Sequence, residues 1–432
     1  MTHFFRRFSL TACLILGFVS VYTQDGQQLL NLPGFSASNI FQPAYMTPLG
    51  ENVWRIGLDF GVSYLSNAIP STWLNQEDGF IDATEKTQFL DAFSERTDLW
   101  SSINGQVQVQ REWNGNTFSL GYRQGFDLKA TIPGEDLPQL ILNGNAGYQG
   151  QTKNGSDLIF QNINTRSLQL GYARTFGPDD QIRWGIMVSP LQGINGTFLD
   201  INQASLYTGP AGDSVFLAAN YDTFDATSGF GISLNTGVDW KLNDVLRISA
   251  GVNNLGFLNW QGNSRQVNAS FGTAGVDAGP LFRDLFPLND SLFRLDTLNQ
   301  MFLPDAEAAE FRQNLLPSFF AGIGANLGQI NLFGAVRWQQ WLDGRTIPSA
   351  FLSGIYRFGA KEGASSYRYR VGLTFSSDPW QALGIGAMGS AAVPIGESWI
   401  TVFVVADQLN GYLSPDTGTR SSVRGGVVVM LP

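Results

Sequence analysis

Residues 53–65, VWRIGLDFGVSYL, alternate without interruption: Trp54, Ile56, Leu58, Phe60, Val62 and Tyr64 share one parity, and Arg55, Gly57, Asp59, Gly61 and Ser63 share the other. A β-strand throws successive side chains to opposite faces, so a strict period of two dictates a two-faced strand. The pattern recurs almost to the last residue. RSLQLGYARTF (166–176) sets Leu168, Leu170 and Tyr172 on one face, and LRISAGVN (246–253) sets Leu246, Ile248, Ala250 and Val252 against Arg247, Ser249, Gly251 and Asn253. YRYRVGLTFSS (367–377) does the same with Tyr367, Tyr369, Val371, Leu373 and Phe375. Each polar face holds glycine and a few charges rather than the Lys, Glu and Thr of a water-washed sheet. A soluble sandwich shows one or two such strands; a dozen, each about ten to thirteen residues long, is the period of a transmembrane barrel.

Composition agrees. Charged residues make up 14% of the chain, against roughly 25% in ordinary globular proteins. Glycine (49) and aromatics (13%) are abundant, only five residues are lysine, and beyond the N-terminus no apolar run is long enough for a spanning helix. Arg55, Arg183, Arg247, Arg368 and Arg370, with Asp59, all fall on polar strand faces. An arginine on the lipid side costs about 2–4 kcal/mol at mid-membrane, so the polar face must be the lumen and the apolar face must meet lipid. These six residues are candidate luminal charges. They steer an anionic ligand, or they form an ion-pair network bracing a plug; the second is the ordinary outcome.

The first residues read as a secretory leader: Arg6 and Arg7, then LTACLILGFVSV, then the polar TQDGQQ. Cleavage is expected between Thr23 and Gln24, giving a signal peptide over 1–23. LTAC (10–13) resembles a lipoprotein box at Cys13, but cutting there would leave the apolar run Leu14 to Val21 on the mature end. The sole cysteine, Cys13, and the sole histidine, His3, both lie in this leader. A mature chain without thiol or imidazole excludes disulfides, Cys nucleophiles, Ser–His–Asp triads and histidine-held metals. It carries formal charge −12 once the leader's two arginines are removed from the full chain's −10. That is a poor match to nucleic acid or to anionic lipid surfaces.

Fourteen strands are predicted near 53–65, 101–113, 116–130, 164–177, 181–192, 229–241, 245–256, 315–327, 329–340, 347–358, 366–377, 380–392, 395–407 and 420–431. Every second connection is short, such as Asn114-Gly115 and Gly328. The others include excursions at 66–100, 131–163, 193–228 and 257–314, the asymmetry of outer-membrane barrels, with both chain ends on the short-turn, periplasmic side. Hairpins over 197–207 with 215–224, or a strand over 263–271, would raise the count to sixteen or eighteen; the range is 12–18. Short helices are expected in the loops. One lies at 82–96, where Asp82 and Glu85 form a capping-box pattern, and one at 304–317, with Ala308, Phe311 and Leu315 on one side. Residues 24–52 are apolar in patches and broken by prolines, which suits a segment folded back into the lumen as a plug. The barrel proper is 53–432.

Other motifs carry less. Gly384, Gly386 and Gly389 fit Gly-x-Gly-x-x-Gly, but Pro394 follows where a dinucleotide site needs a helix. Asp222 with Asp225, and Asp179 with Asp180, lack the spaced oxygens of a calcium site and read as solvated turn acids. Trp54, Trp100, Trp113, Trp184, Trp240, Trp260, Trp338, Trp341, Trp380 and Trp399 mostly sit near strand ends, where an interfacial girdle is expected; a few could line a hydrophobic path.

The stretch LPGFSASNIFQPAYMTPLGENVWRIGL (32–58) resembles the mature start of a Bacteroidota outer-membrane barrel family of unknown function, similar in layout to FadL-type long-chain fatty-acid transporters. NGQVQVQREWNGNTFSLGY (104–122), GVDWKLNDVLRISAGVNNLGFLNW (237–260) and LPSFFAGIGANL (316–327) match the family's habits. Where FadL-type chains carry Asn-Pro-Ala before strand one, this chain has Gln42-Pro43-Ala44. The resemblance therefore implies that Gln42, Pro43 and Ala44 form a plug or gate. It implies an outer-membrane channel for small hydrophobic or amphipathic molecules, or alternatively a non-transporting barrel subunit of a secretion or gliding machine acting through its loops. The expected partners are outer-membrane lipid, a hydrophobic small molecule or envelope proteins. No catalytic, cofactor or metal residues are expected, and outer-membrane hydrolases are similar to one another in using a histidine this chain lacks.

Overall fold

The protein was analysed as a computed structural model, which describes residues 43–46, 53–70, 83–93, 95–144, 147–177, 181–211, 214–274, 307–360, 367–379, 381–413 and 419–432. The expected signal peptide, and the expected plug apart from Pro43–Met46, lie outside the described residues. The strands are β1 (Trp54–Ser66), β2 (Arg96–Trp113), β3 (Asn116–Pro133), the short β4 (Thr152–Asn154) and β5 (Leu158–Phe176). β6 (Ile182–Thr208), β7 (Ser214–Lys241), β8 (Leu246–Ala274), β9 (Glu307–Asn314) and β10 (Ser318–Leu327) follow. β11 (Ile330–Gln340), β12 (Thr346–Ala360), β13 (Tyr367–Asp378), β14 (Gln381–Ile395), β15 (Ser398–Gln408) and β16 (Arg420–Leu431) complete the set.

Neighbouring strands pair antiparallel, β1 pairs β16, and β10 pairs β8, so fourteen strands close into a ring. β4 adds to the top of β6, and β9 runs above β10 along the same side of β8. Closure leaves no edge within the ring, and every ladder group can be paired without water, as a bilayer requires. Turn chemistry sets the register at the short end: Asn114 and Gly115 adopt φ 50° and 70°, the left-handed pair that joins Trp113 to Asn116 in a two-residue hairpin.

Burial is inside out. Along β1, Asp59 and Ser63 are buried while Leu58 and Val62 are exposed; along β13, Thr374 and Ser376 are buried while Val371, Leu373 and Phe375 are exposed. The polar face is therefore the lumen, and lipid covers the apolar face. Trp54, Trp113, Trp184 and Trp240 are exposed at the short-turn end, joined there by Phe118 and Tyr172 in edge and tilted ring contacts. Stacked Tyr356, Phe358 and Tyr369 continue this belt. Amphipathic rings at the headgroup level form the expected girdle. Trp100, Trp260 and Trp341 do not belong to it, for they are buried. Tyr64 also departs from the outward pattern: it is buried because residues 66–70 fold over it, and its hydroxyl donates to the Ile69 carbonyl at 2.9 Å.

β6, β7 and β8 run 27, 28 and 29 residues. About ten span a bilayer, so more than half of each stands beyond it as a tall wall. Residues 197–207 and 215–224 are the upper parts of β6 and β7, and 263–271 is the upper part of β8, so the ring stays at fourteen rather than sixteen or eighteen. Asp222 and Asp225 consequently sit in the β7 ladder, not in a turn.

The helix expected over 304–317 is instead a strand where it is described: Glu307–Asn314 pairs with Ser264–Phe257 of β8. Its Ala-Glu composition favours helix, but the upper edge of β8 offered unpaired backbone, and tertiary pairing overrode the local preference. Pro317, without an N–H, marks the break before β10. Helices α1 (Ala83–Ala92), α2 (Asp136–Asn143) and the single turn α3 (Asn410–Leu413) lie in the connections. α2 has Asp136 in its first turn and closes on Gly144 at φ 68°, a favourable charge at the positive end and a left-handed stop.

Candidate functional site

Fourteen strands spaced ~4.8 Å and tilted ~40° enclose a backbone radius of about 14 Å, which wall side chains alone cannot fill. What occupies the lumen therefore decides what the barrel can pass.

The wall from β1 to β3 and β5 carries buried amides and hydroxyls. Gln106 donates to Asp59 at 2.6 Å, Gln110 to Gln108 at 2.9 Å, and Gln108 to Ser119 at 3.4 Å. Higher on the same wall Lys129 pairs with Asp127 at 2.9 Å, fully buried, while Trp100 donates to the other oxygen of Asp127. Near the short turns Arg247 reaches Asp239 at 2.5 Å and Ser249 donates to the same carboxylate at 2.8 Å. Arg183 stands opposite Asp239 in the β6–β7 register. Asp59 and Arg247 are thus held by partners within the wall.

Arg368 and Arg370 of β13 lie on the other arc, and Arg55 of β1 borders it at the seam with β16. Arg370 stands opposite Arg357 in register, and Arg337 and Arg424 are buried on the same inward face. Among the described residues from β10 to β16 the acidic residues are Asp343, Asp378 and Asp407, all at the long-loop end, and Glu397 in a short turn. Asp378 is held by Arg420 in a two-bond fork at 2.5 Å. This arc is basic, and an apolar inward cluster of Ile355, Met388, Phe403, Val405 and Val428 lies on it.

Pro43–Tyr45 forms one 3-10 turn against the inner wall, with Ala44 and Met46 buried. Two glycines make the room. A Cβ on Gly185 would lie 2.2 Å from the Pro43 carbonyl carbon, and one on Gly171 would lie 2.8 Å from the Met46 sulfur. Met46 packs on Ala173 and Met187, and Ser119 Oγ approaches its sulfur at 3.1 Å. Gln42 lies outside the described residues; Pro43 and Ala44 are seated in a wall notch near the short-turn end.

At the opposite level the inward face of the tall wall turns apolar. Trp260 is fully buried across Gly193 and Gly229, where added Cβ atoms would meet its ring at 2.1 and 2.8 Å, and its indole N–H donates to Gln313 at 2.9 Å. Phe198 meets its ring edge-on at 5.9 Å, and Phe198, Phe224 and Phe311 pack on one another at 4.9–6.1 Å, with Ile163, Ala226, Leu258 and Leu315 behind. Phe311 keeps 37% of its surface exposed on that inward side. Sequence periodicity missed this cluster because bulges at Ala226/Ser228 and Asn164/Thr165 shift the parity of the strands that build it. The Gly193, Gly229 and Trp260 combination was the only available signal. Among the described residues no group of three or more His, Cys, Asp or Glu side chains is placed to hold a metal ion. Gly384, Gly386 and Gly389 lie on β14, with no helix after them.

A closed antiparallel ring with a polar lumen, an apolar exterior and an aromatic girdle is a transmembrane β-barrel. Residues 213–407 match the model of a family described as "Family of unknown function (DUF5723)". No curated protein matches the chain. Among solved structures it is similar to the toluene transporter TbuX of Ralstonia pickettii (12% identity, 94% of each chain, TM-score 0.49). It is also similar to the toluene transporter TodX of Pseudomonas putida (10%, 95% of this chain and 94% of that one, 0.43). A FadL homologue of Pseudomonas aeruginosa gives 10%, 95% and 99%, and 0.46. These scores fall below 0.5, so the fold rests on the strand pairing of this chain and not on the likeness.

Proposed function

We propose that this barrel sits in an outer membrane and passes small hydrophobic or amphipathic molecules, with the Gln42-Pro43-Ala44 segment as its plug. The observation that carries the reading is the accessible ring of Phe311, which packs on Phe198 and Phe224 and stands opposite Trp260 in the β8–β9 register. Accessible rings on the inward side of the wall serve no packing need there, whereas a binding surface for apolar solutes requires them. The basic, partly apolar arc of β10–β16 suits a polar or anionic end of such a molecule. Arg368 and Arg370 there, with Arg55 at the adjoining β1–β16 seam, are the proposed luminal charges, while Asp59, Arg183 and Arg247 brace the wall of β1–β8.

Fluorescence titration of the detergent-purified barrel with an environment-sensitive apolar dye tests this. Saturable binding that Phe311→Ala weakens severalfold, with heat-modifiable migration unchanged, supports it; non-saturable binding equal in both proteins overturns it. The second reading, a machine subunit, draws on the tall β6–β8 wall standing beyond the bilayer. Stoichiometric co-purification of envelope proteins with no bound small molecule would favour it.

A further inference from the structure

The connection between β11 and β12 is only Trp341–Arg345, yet it bonds to β2 and β3. Counted around the ring, β12 and β2 are six steps apart through β13–β16 and β1, and β11 and β3 are six steps apart through β10, β8, β7, β6 and β5. The turn and its partners are therefore diametrically opposite, and they meet only by crossing the lumen.

The contact is specific. Trp341 is 1% exposed, meets Trp100 edge-on at 6.3 Å, and donates its indole N–H to Thr131 at 2.9 Å. Arg345 Nη2 reaches both oxygens of Asp98 at 2.9 Å, and its Nε reaches Asp343 at 2.5 Å. Asp343 also pairs with Arg96, and Thr131 donates to Asp98 at 2.7 Å. Trp100, Asp98 and Thr131 all point into the lumen, on the parity of the buried Ser102 and Asp127. Leu65 of β1 joins the two tryptophans underneath.

Ordinary hairpin ends of a barrel need no such reach, and the alternating charges Arg96, Asp343, Arg345 and Asp98, which water solvates when they part, make a clasp that the apolar contact of Trp341 with Trp100 closes again. We propose that residues 341–345 are a strap across the long-loop mouth, latched by Arg345 on Asp98 and Trp341 on Trp100, and that solutes enter the lumen when the latch releases. This rests on the lumen being a path, which the proposed function assumes, but not on what is carried.

Ion conductance of the full barrel in a planar bilayer, with no hydrophobic ligand present, is the test. Cys13 is the only native cysteine, so a Cys13→Ser background accepts Asp98→Cys with Arg345→Cys cleanly. Arg345→Ala and the double-cysteine variant are each expected to conduct severalfold more than the parent. A cleavable bis-maleimide joining the two cysteines returns conductance to the parent level, and reduction of the linker raises it again. Conductance indifferent to both the substitutions and the linker overturns the strap. If a substitution impairs folding, the linked and cleaved states of the same folded molecules still decide. Non-saturable dye binding, equal in the parent and Phe311→Ala proteins, together with normal latch behaviour would sink the substrate reading and leave the strap standing.

Discussion

Gly185→Ala probes the seat of the proposed plug with a single methyl group. The new Cβ would fall 2.2 Å from the Pro43 carbonyl carbon, 2.3 Å from its oxygen and 2.5 Å from the Ala44 nitrogen. All three are backbone atoms, so no rotamer change relieves the clash, and the turn must retreat about 1.2 Å to restore an ordinary 3.4 Å contact. Retreat pulls Met46 from Ala173 and Met187. Overpacking of this kind costs roughly 1–3 kcal/mol, and complete loss of Met46 burial sets a similar ceiling of about 1.5–3 kcal/mol. Docking of the turn should weaken by roughly tenfold to a hundredfold, at 1.4 kcal/mol per decade. The β6 ladder is untouched, so the barrel itself should keep its melting behaviour. Hydrogen exchange by mass spectrometry over residues 43–46 reads the effect, with Gly389→Ala, which has nothing within 4 Å of its added Cβ, as control. Equal exchange in the Gly185→Ala, Gly389→Ala and parent proteins would refute the notch as the plug's seat.

Three further outcomes are expected. Gly193→Ala drives a Cβ to 2.1 Å from the Trp260 ring; the cost is about 1–3 kcal/mol, and tryptophan fluorescence should shift to the red as the indole loses Gln313. An unshifted spectrum would count against the packing described. Asp239→Asn leaves Arg247 and Ser249 without their carboxylate; a fully buried pair loses 3–5 kcal/mol, and part-exposure of Arg247 discounts this to on the order of 2 kcal/mol, seen as a lower unfolding temperature in detergent. Asp200, on the tall wall beyond the bilayer, has its pKa raised by burial and then by Asp222 and Asp157. Its ionised form therefore opposes folding of the wall at neutral pH, and proton uptake as pH falls through the raised value stabilises it. Intrinsic-rate-corrected hydrogen exchange over upper β6–β7 should slow on mild acidification, and Asp200→Asn should slow it at neutral pH; a pH-independent difference between the two proteins contradicts the assignment.

Alternation over thirteen-residue stretches such as 53–65, low charge and the cost of arginine in lipid were enough to give the barrel, its inside-out faces and its fourteen ring strands. All three follow from side-chain parity and transfer energy, which are local quantities. Asn114-Gly115 was equally legible because its turn type depends on two residues. The segment 307–314 was not, since the partner that made it a strand is β8, some fifty residues away, and helix propensity is a weaker term than a vacant ladder edge. Nor were the aromatic face around Trp260 or the latch of Trp341 on Trp100. Bulges that add one residue reverse parity without a mark in the sequence, and Trp341 meets Thr131 across 210 positions of chain. Which side chains share the lumen is set by ring closure, so the wall could be read from the sequence, and its contents only from the closed structure.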